Sequence, residues 1–295
     1  MVNDISFWLT RLAKEGVMTE YLAVDGGTIA YEVAGSGPLV VLAHGMGDSR
    51  AAYRALIPPL AAAGHRVAAV DLRGCGESGT AFQDWSRTAI AGDLLAVVRH
   101  LGGPAVLVGH SISGGAATIA AVREPSLVTG VVELAPFTRK QSIRLGDLRV
   151  KRFRQGMLRL LGAGVFGSVP LWRSYLDIAY PGVKPADWAE RLGRFETLLR
   201  EPGRMKAMQG MGRTDPADAG AHLGEVRRPV LVVMGTLDPD WADPHAEGSA
   251  IVDALPAGIG RLEMIEGAGH YPHDQFPDQV LSLVLAFLGT EAARA

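Results

Sequence analysis

With a single cysteine in 295 residues, Cys75, the chain can form no intrachain disulfide and no cysteine-built zinc cage, and it suits a reducing compartment. An excess of charge of one sign is also missing. The 29 Lys and Arg against 31 Asp and Glu leave a formal net charge of -2, which gives no electrostatic case for nucleic acid as a partner. Long apolar runs are absent too. The greasiest stretch, residues 280–288, is about half of what a membrane-spanning helix requires and reads as a packed terminal helix, so no integral membrane segment is expected. The opening MVNDISFWLTRLAKEG carries Asp4 early and is amphipathic, with Ile5, Trp8, Leu9 and Leu12 on one helical face, which is unlike a secretory signal. The expectation is a cytoplasmic protein. There is no internal repeat and no low-complexity linker to divide the chain.

What is present is an α/β alternation. Residues 20–24 and 28–33 flank Asp25-Gly26-Gly27 and predict a hairpin at an antiparallel edge. From Pro38 onward the strands become unbroken apolar runs, at residues 39–43, 66–70, 105–108 and 130–134, with helical segments near 50–63, 89–101 and 114–123 between them. Continuous apolar strands are buried on both faces, as in a parallel sheet covered by helices. From Phe137 to about His222 only helix-like segments occur, and then strands resume at 229–234 and 261–265, closed by a helix at 278–288. The pattern predicts an α/β core made of residues 1–136 and 223–295, with residues 137–222 inserted as a helical unit.

In open parallel sheets ligands bind beyond the carboxyl ends of the strands. The residues at those ends are His44-Gly45-Met46, Asp71 to Ser78 (DLRGCGES), Gly109-His110-Ser111-Ile112-Ser113, Gly235-Thr236-Leu237-Asp238 and Gly267-Ala268-Gly269-His270. A serine hydroxyl is a weak nucleophile at neutral pH and needs a positioned base, itself oriented by a carboxylate. Ser111, Asp238 and His270 supply those three groups from three different strand ends. The tight turn at Ser111 also calls for small neighbours.

On these motifs the chain resembles the α/β-hydrolase fold family over nearly its whole length. The Gly-x-Ser-x-Gly elbow corresponds to residues 109–113, with Ser113 in place of the last glycine and Gly114 and Gly115 following. The resemblance implies Ser111 as nucleophile, His270 as base and Asp238 as the orienting acid. It further implies an oxyanion hole built from the backbone N–H groups of Met46 and Ile112. The helical insertion stands where the family carries its cap, and residues 71–78 match a scaffold loop. The implied activity is cleavage of a carboxylic ester or related small acyl substrate through an acyl-enzyme, with no metal and no organic cofactor. Acyl transfer, C–C bond hydrolysis and perhydrolysis use the same machinery, and a ligand-binding receptor on this scaffold is the alternative of another class.

Rival assignments are few. Asp240 and Glu133 compete with Asp238 for the acid, Asp240 otherwise reading as a turn residue and Glu133 as a buried, paired acid. His110 reads as a packed elbow residue, His273 as a flank of the last helix and Cys75 as a small core-edge residue. Nine Lys or Arg between Arg139 and Arg173 face one acid, Asp147. They are read as the solvated face of an amphipathic cap helix, the functional alternative being attraction of an anionic substrate or a membrane surface.

Overall fold

Eight strands form one sheet in the order β1-β2-β4-β3-β5-β6-β7-β8. They are β1 (Glu20–Val24), β2 (Gly27–Ala34), β3 (Leu39–Ala43), β4 (Arg66–Val70), β5 (Ala105–His110), β6 (Val128–Leu134), β7 (Val230–Gly235) and β8 (Gly260–Ile265). The computed structural model describes residues 18–292, so the helix expected over residues 5–12 lies outside the described residues. β1 and β2 pair antiparallel, β2 joins β4 antiparallel, and every later pairing is parallel. The hairpin at an antiparallel edge is therefore as expected.

The apolar runs are buried on both faces because side chains alternate across a strand. In β3, Leu39, Val41 and Ala43 enter the core on one side of the sheet, while Val40 and Leu42 enter the core on the other. Each fully buried Val or Leu contributes about 1.5–3 kcal/mol, and all five β3 residues are buried. Helices cover both faces: α1 (Ile57–Ala62), α2 (Arg87–His100), α3 (Ile112–Arg123), later α9 (Pro244–Ala254), α10 (Pro272–Gln275) and α11 (Pro277–Ala292). The helix expected over 50–63 is divided into a 3-10 turn at Arg50–Tyr53 and α1. Pro58 and Pro59 account for this, since proline fits only the first turn of a helix. α9 is an element that sequence reading passed over. Its signals were Asp243, whose side chain caps the Ala246 N–H, and Pro244 at the first helical position.

Between β6 and β7 there is no strand. That stretch forms α4 (Lys151–Phe166), α5 (Val169–Ala179), α6 (Trp188–Arg200), α7 (Arg204–Gly212) and the short α8 (Ala217–Gly220). These helices hold an apolar cluster of their own, including Trp172, Tyr175, Leu176, Phe195 and Met208, which continues onto Tyr271 of the core. A buried ion network ties this layer down. Arg191 of α6 reaches Asp48 at 3.0 Å and Asp274 at 2.9 Å. Strand order reverses at β3, which has β4 on one side and β5 on the other. The loops after β3 and β5 therefore flank the crevice where such sheets bind ligands.

Candidate active site

Ser111 follows β5 and begins α3 with φ 55° and ψ -119°. Ser111 and Ala135 are the two non-glycine residues with positive φ among the described residues, a conformation that costs an L-residue about 1–3 kcal/mol. Neighbouring backbone holds it there: the Ser111 N–H donates to Leu134 O at 2.9 Å, and its carbonyl accepts from Gly114 and Phe137 at 3.0 Å each. Small neighbours are obligatory. A Cβ on Gly109 would fall 2.2 Å from the Ser113 carbonyl oxygen, and one on Gly114 would fall 2.6 Å from Pro136 Cβ. Ser113 itself is fully buried, and its hydroxyl donates to the His44 carbonyl at 2.6 Å. The residue that departs from the elbow motif thus ties the elbow helix to the loop after β3.

That loop lies directly against the elbow. A Cβ on Gly45 would sit 2.7 Å from His110 Nδ1 and 3.1 Å from Ser111 Cβ. Met46 and Ile112 line one cavity together with Ser111 and His270. Ile112 is the first residue of α3, so its N–H has no acceptor within the helix.

His270 follows β8, and its backbone N–H is held by Ala179 O at 2.9 Å. Its Nδ1 lies 2.9 Å from Asp238 Oδ2 and 3.3 Å from Asp240 Oδ2. Burial opposes charging of the imidazole, but the two carboxylates and the Asp238 hydrogen bond outweigh it, and the ring is held above the ordinary histidine range. The two acids differ in their surroundings. Asp238 Oδ1 accepts the Asp240 N–H at 2.9 Å, while Asp240 Oδ2 accepts the Tyr175 hydroxyl at 2.7 Å from α5. Burial, with the Asp238 charge added, raises the Asp240 carboxyl above its usual range. These three residues form the one cluster of three potential metal ligands among the described residues. Hydrogen bonds from an imidazole, a hydroxyl and an amide occupy three of its four carboxylate oxygens, and the fourth, Asp240 Oδ1, is buried without a partner.

The remaining sequence candidates separate clearly. Glu133 is fully buried away from His270 and accepts from Thr118 and Thr138, the latter at 3.0 Å. Burial pushes its carboxyl up to about 7, against the two hydroxyls. His110 donates through Nε2 to the His270 carbonyl at 2.8 Å, which leaves Nδ1 unprotonated. His273 stacks on Tyr53 with centroids 5.0 Å apart, and neither of its ring nitrogens has a hydrogen-bond partner. Burial, with the neighbouring charges, drives both rings well below the ordinary histidine value. Cys75 is buried, its thiol pushed up to about 12 by burial and by Asp71. Asp71 is itself engaged by the Arg50 guanidinium and by the Arg50 and Glu77 N–H groups, a scaffold role.

The site cavity measures about 430 Å³ and opens between the strand ends and the overlying helices. A second, more apolar space of about 570 Å³ adjoins it and shares Met46, Phe137, Leu160 and Arg213. The basic run 139–173 departs from a purely solvated face. Arg152 donates to the Asp238 carbonyl at 3.0 Å, Arg139 pairs with Glu247 at 3.0 Å, and Arg173 pairs with Glu196 at 2.8 Å. Conversely, Leu158, Leu161 and Val165 of α4 are exposed, whereas Phe153 is buried. The residues sequence reasoning missed are Tyr175 and Arg87, both in the cavity wall.

A family model described as "Alpha/beta hydrolase family" matches residues 40–283. A 2-(acetamidomethylene)succinate hydrolase of Mesorhizobium japonicum is 28% identical over 90% of this chain and 94% of that one. Among solved structures, a putative lipase of Acinetobacter baumannii superposes with TM-score 0.76 at 19% identity, covering 100% of this chain and 99% of the other. An enol-lactonase of Burkholderia xenovorans gives TM-score 0.73 at 21% identity, covering 92% of this chain and 100% of its own.

Proposed function

The chain belongs to the α/β-hydrolase family, and from that premise we propose that it is a serine hydrolase cleaving a carboxylic ester or a related small acyl substrate. His270 takes the proton from Ser111 Oγ as that oxygen bonds to the substrate carbonyl carbon. The N–H groups of Met46 and Ile112 receive the resulting oxyanion, each donor being worth roughly 3 kcal/mol in such sites. The imidazolium returns its proton to the leaving oxygen as the C–O bond breaks, and water repeats the cycle on the acyl-enzyme. Asp238 fixes the tautomer and orientation of His270. Residues 137–222 act as the cap that closes the substrate space.

The observation that carries this reading is an acid-oriented imidazole, His270 2.9 Å from Asp238, in the same cavity as a serine held at positive φ. The name of one relative is in keeping with this reading, a 2-(acetamidomethylene)succinate hydrolase.

The test is a short-to-long panel of p-nitrophenyl esters with the purified protein and its Ser111→Ala variant, beside a serine-directed phosphonate probe. Turnover that vanishes in the variant, with labelling at Ser111, is the expected result. No turnover of any ester and no label on Ser111 would overturn it.

A further inference from the structure

Arg87 opens α2, and the residue is 4% exposed in the wall of the cavity that holds Ser111. A buried guanidinium is costly unless paired, yet no carboxylate lies within 4.0 Å of it among the described residues. Its protein partners are neutral: Nε donates to Phe137 O at 2.8 Å and Nη1 to Thr214 Oγ1 at 3.1 Å. Burial lowers its pKa to about 10, against the distant charges of Asp218 and Asp215, so it still carries its proton at neutral pH. Asp215, on the cavity rim, is itself engaged by Lys140 at 3.0 Å.

The position relative to Ser111 is set by a glycine. A Cβ on Gly115 would fall 2.9 Å from Arg87 Cδ, so the arginine stem lies where a side chain on the first turn of α3 would stand. Gly115 stands in the first turn of the helix that Ser111 precedes, and Arg87 and Ser111 line the same cavity. The helix-start partial charge near Ser111 has the same sign as the guanidinium.

We propose that Arg87 is the anchor of an anionic subsite, and that the substrate carries a carboxylate beside its scissile acyl group. This rests on the hydrolase reading for the word substrate, while the anion site itself does not. Arg213, exposed at the junction of the two cavities, adds a second positive charge at the entrance.

Two measurements test it. Rates on the p-nitrophenyl monoester of glutaric acid and on its methyl-capped neutral counterpart compare the wild type with Arg87→Gln. The expected result is at least a tenfold wild-type preference for the anion in kcat/KM. In Arg87→Gln that preference is lost through KM, while the neutral ester changes less than threefold. Calorimetric binding of glutarate to Ser111→Ala, with and without Arg87→Gln, reads the site without turnover, and at least tenfold weaker binding is expected in the double variant. No turnover of either ester, where the ester panel and the phosphonate probe also fail, refutes the hydrolase reading and leaves glutarate binding to decide on the subsite. Equal rates on the two esters, equal losses on both, or glutarate binding indifferent to Arg87 each overturn the proposal. Should Arg87→Gln not fold, Ser111→Ala is titrated with glutarate and with its neutral dimethyl ester, and equal affinity for the two also overturns the assignment.

Discussion

Asp240 brings a second carboxylate to His270, its Oδ2 3.3 Å from the same Nδ1 that Asp238 approaches at 2.9 Å. The shorter contact, together with the Asp240 N–H held by Asp238 Oδ1, supports Asp238 as the orienting acid of the proposed mechanism. Asp238→Asn is expected to lower kcat by about 10³–10⁴-fold, because an amide favours the wrong tautomer. Asp240→Asn should cost less than about tenfold. Steady-state kinetics on one ester decides, and a larger loss in the Asp240 variant would reverse the assignment.

The same pair sets the pH dependence. A base must be neutral to act, so kcat/KM rises with pH through the His270 titration, which the two carboxylates place above the ordinary value of about 6.5. Removing the Asp240 charge destabilises the imidazolium. The acid limb of Asp240→Asn should therefore move to lower pH than that of the wild type, and a limb that stays in place would show that Asp240 carries no charge in the working enzyme.

Ser113 is expected to matter through the His44 carbonyl rather than through its own reactivity. Ser113→Ala leaves that buried acceptor unpaired, at a cost of about 1–3 kcal/mol. It also frees the loop that carries the Met46 N–H. A drop in kcat of about tenfold with little change in KM is the expected pattern. Unchanged kcat together with unchanged urea stability would show the tie to be idle.

Arg191 holds Asp48 and Asp274 in a fully buried setting. Arg191→Met strands the Asp48 carboxylate, whereas Asp274 keeps Arg54 at 2.6 Å and the Tyr180 hydroxyl, and should destabilise the protein by about 3–5 kcal/mol in urea unfolding. Adding Asp48→Asn should recover part of that loss. Additive losses in the double variant would argue against a shared network.

Buried neutral histidines give a stability loss in acid. The folded pKa values of His110 and His273 lie well below the unfolded value of about 6.5, so the unfolded chain takes up the extra protons as pH falls through that value. Each ring then removes about 1.4 kcal/mol of stability per pH unit. Between pH 6.5 and 5.5, where the unfolded ring is still only partly protonated, the wild type should lose more than His273→Phe by about 1 kcal/mol, as read by urea unfolding at the two pH values. Equal losses would show that His273 takes up its proton in the fold as readily as in the unfolded chain.

How much of this could be read from the sequence follows the range of each interaction. The strands were legible because doubly buried strands write continuous apolar runs, and Ser111, Asp238 and His270 because each stands at the end of one. Tyr175 was not, since its contact with Asp240 spans 65 positions and depends on how α5 lies over the sheet. Arg87 left a faint local signal, a positive charge at a helix start, where the macrodipole disfavours it. Ser113 is legible only as a small residue in place of a motif glycine, and its bond to the His44 carbonyl, 69 positions away, is not.

Ser111 is presented by two strands. Its amide leans on Leu134, its carbonyl receives Phe137, and Ala135 between them is the other non-glycine residue at positive φ. The four residues 134–137 are therefore the hinge pin of the machine as well as the place where the covering helices begin. Insertions, deletions and wholesale exchange of those helices are expected to spare the geometry of the serine when they start beyond Thr138, whose buried hydroxyl holds Glu133. An exchange that cuts into 134–137 would transplant a new roof onto a misaligned elbow.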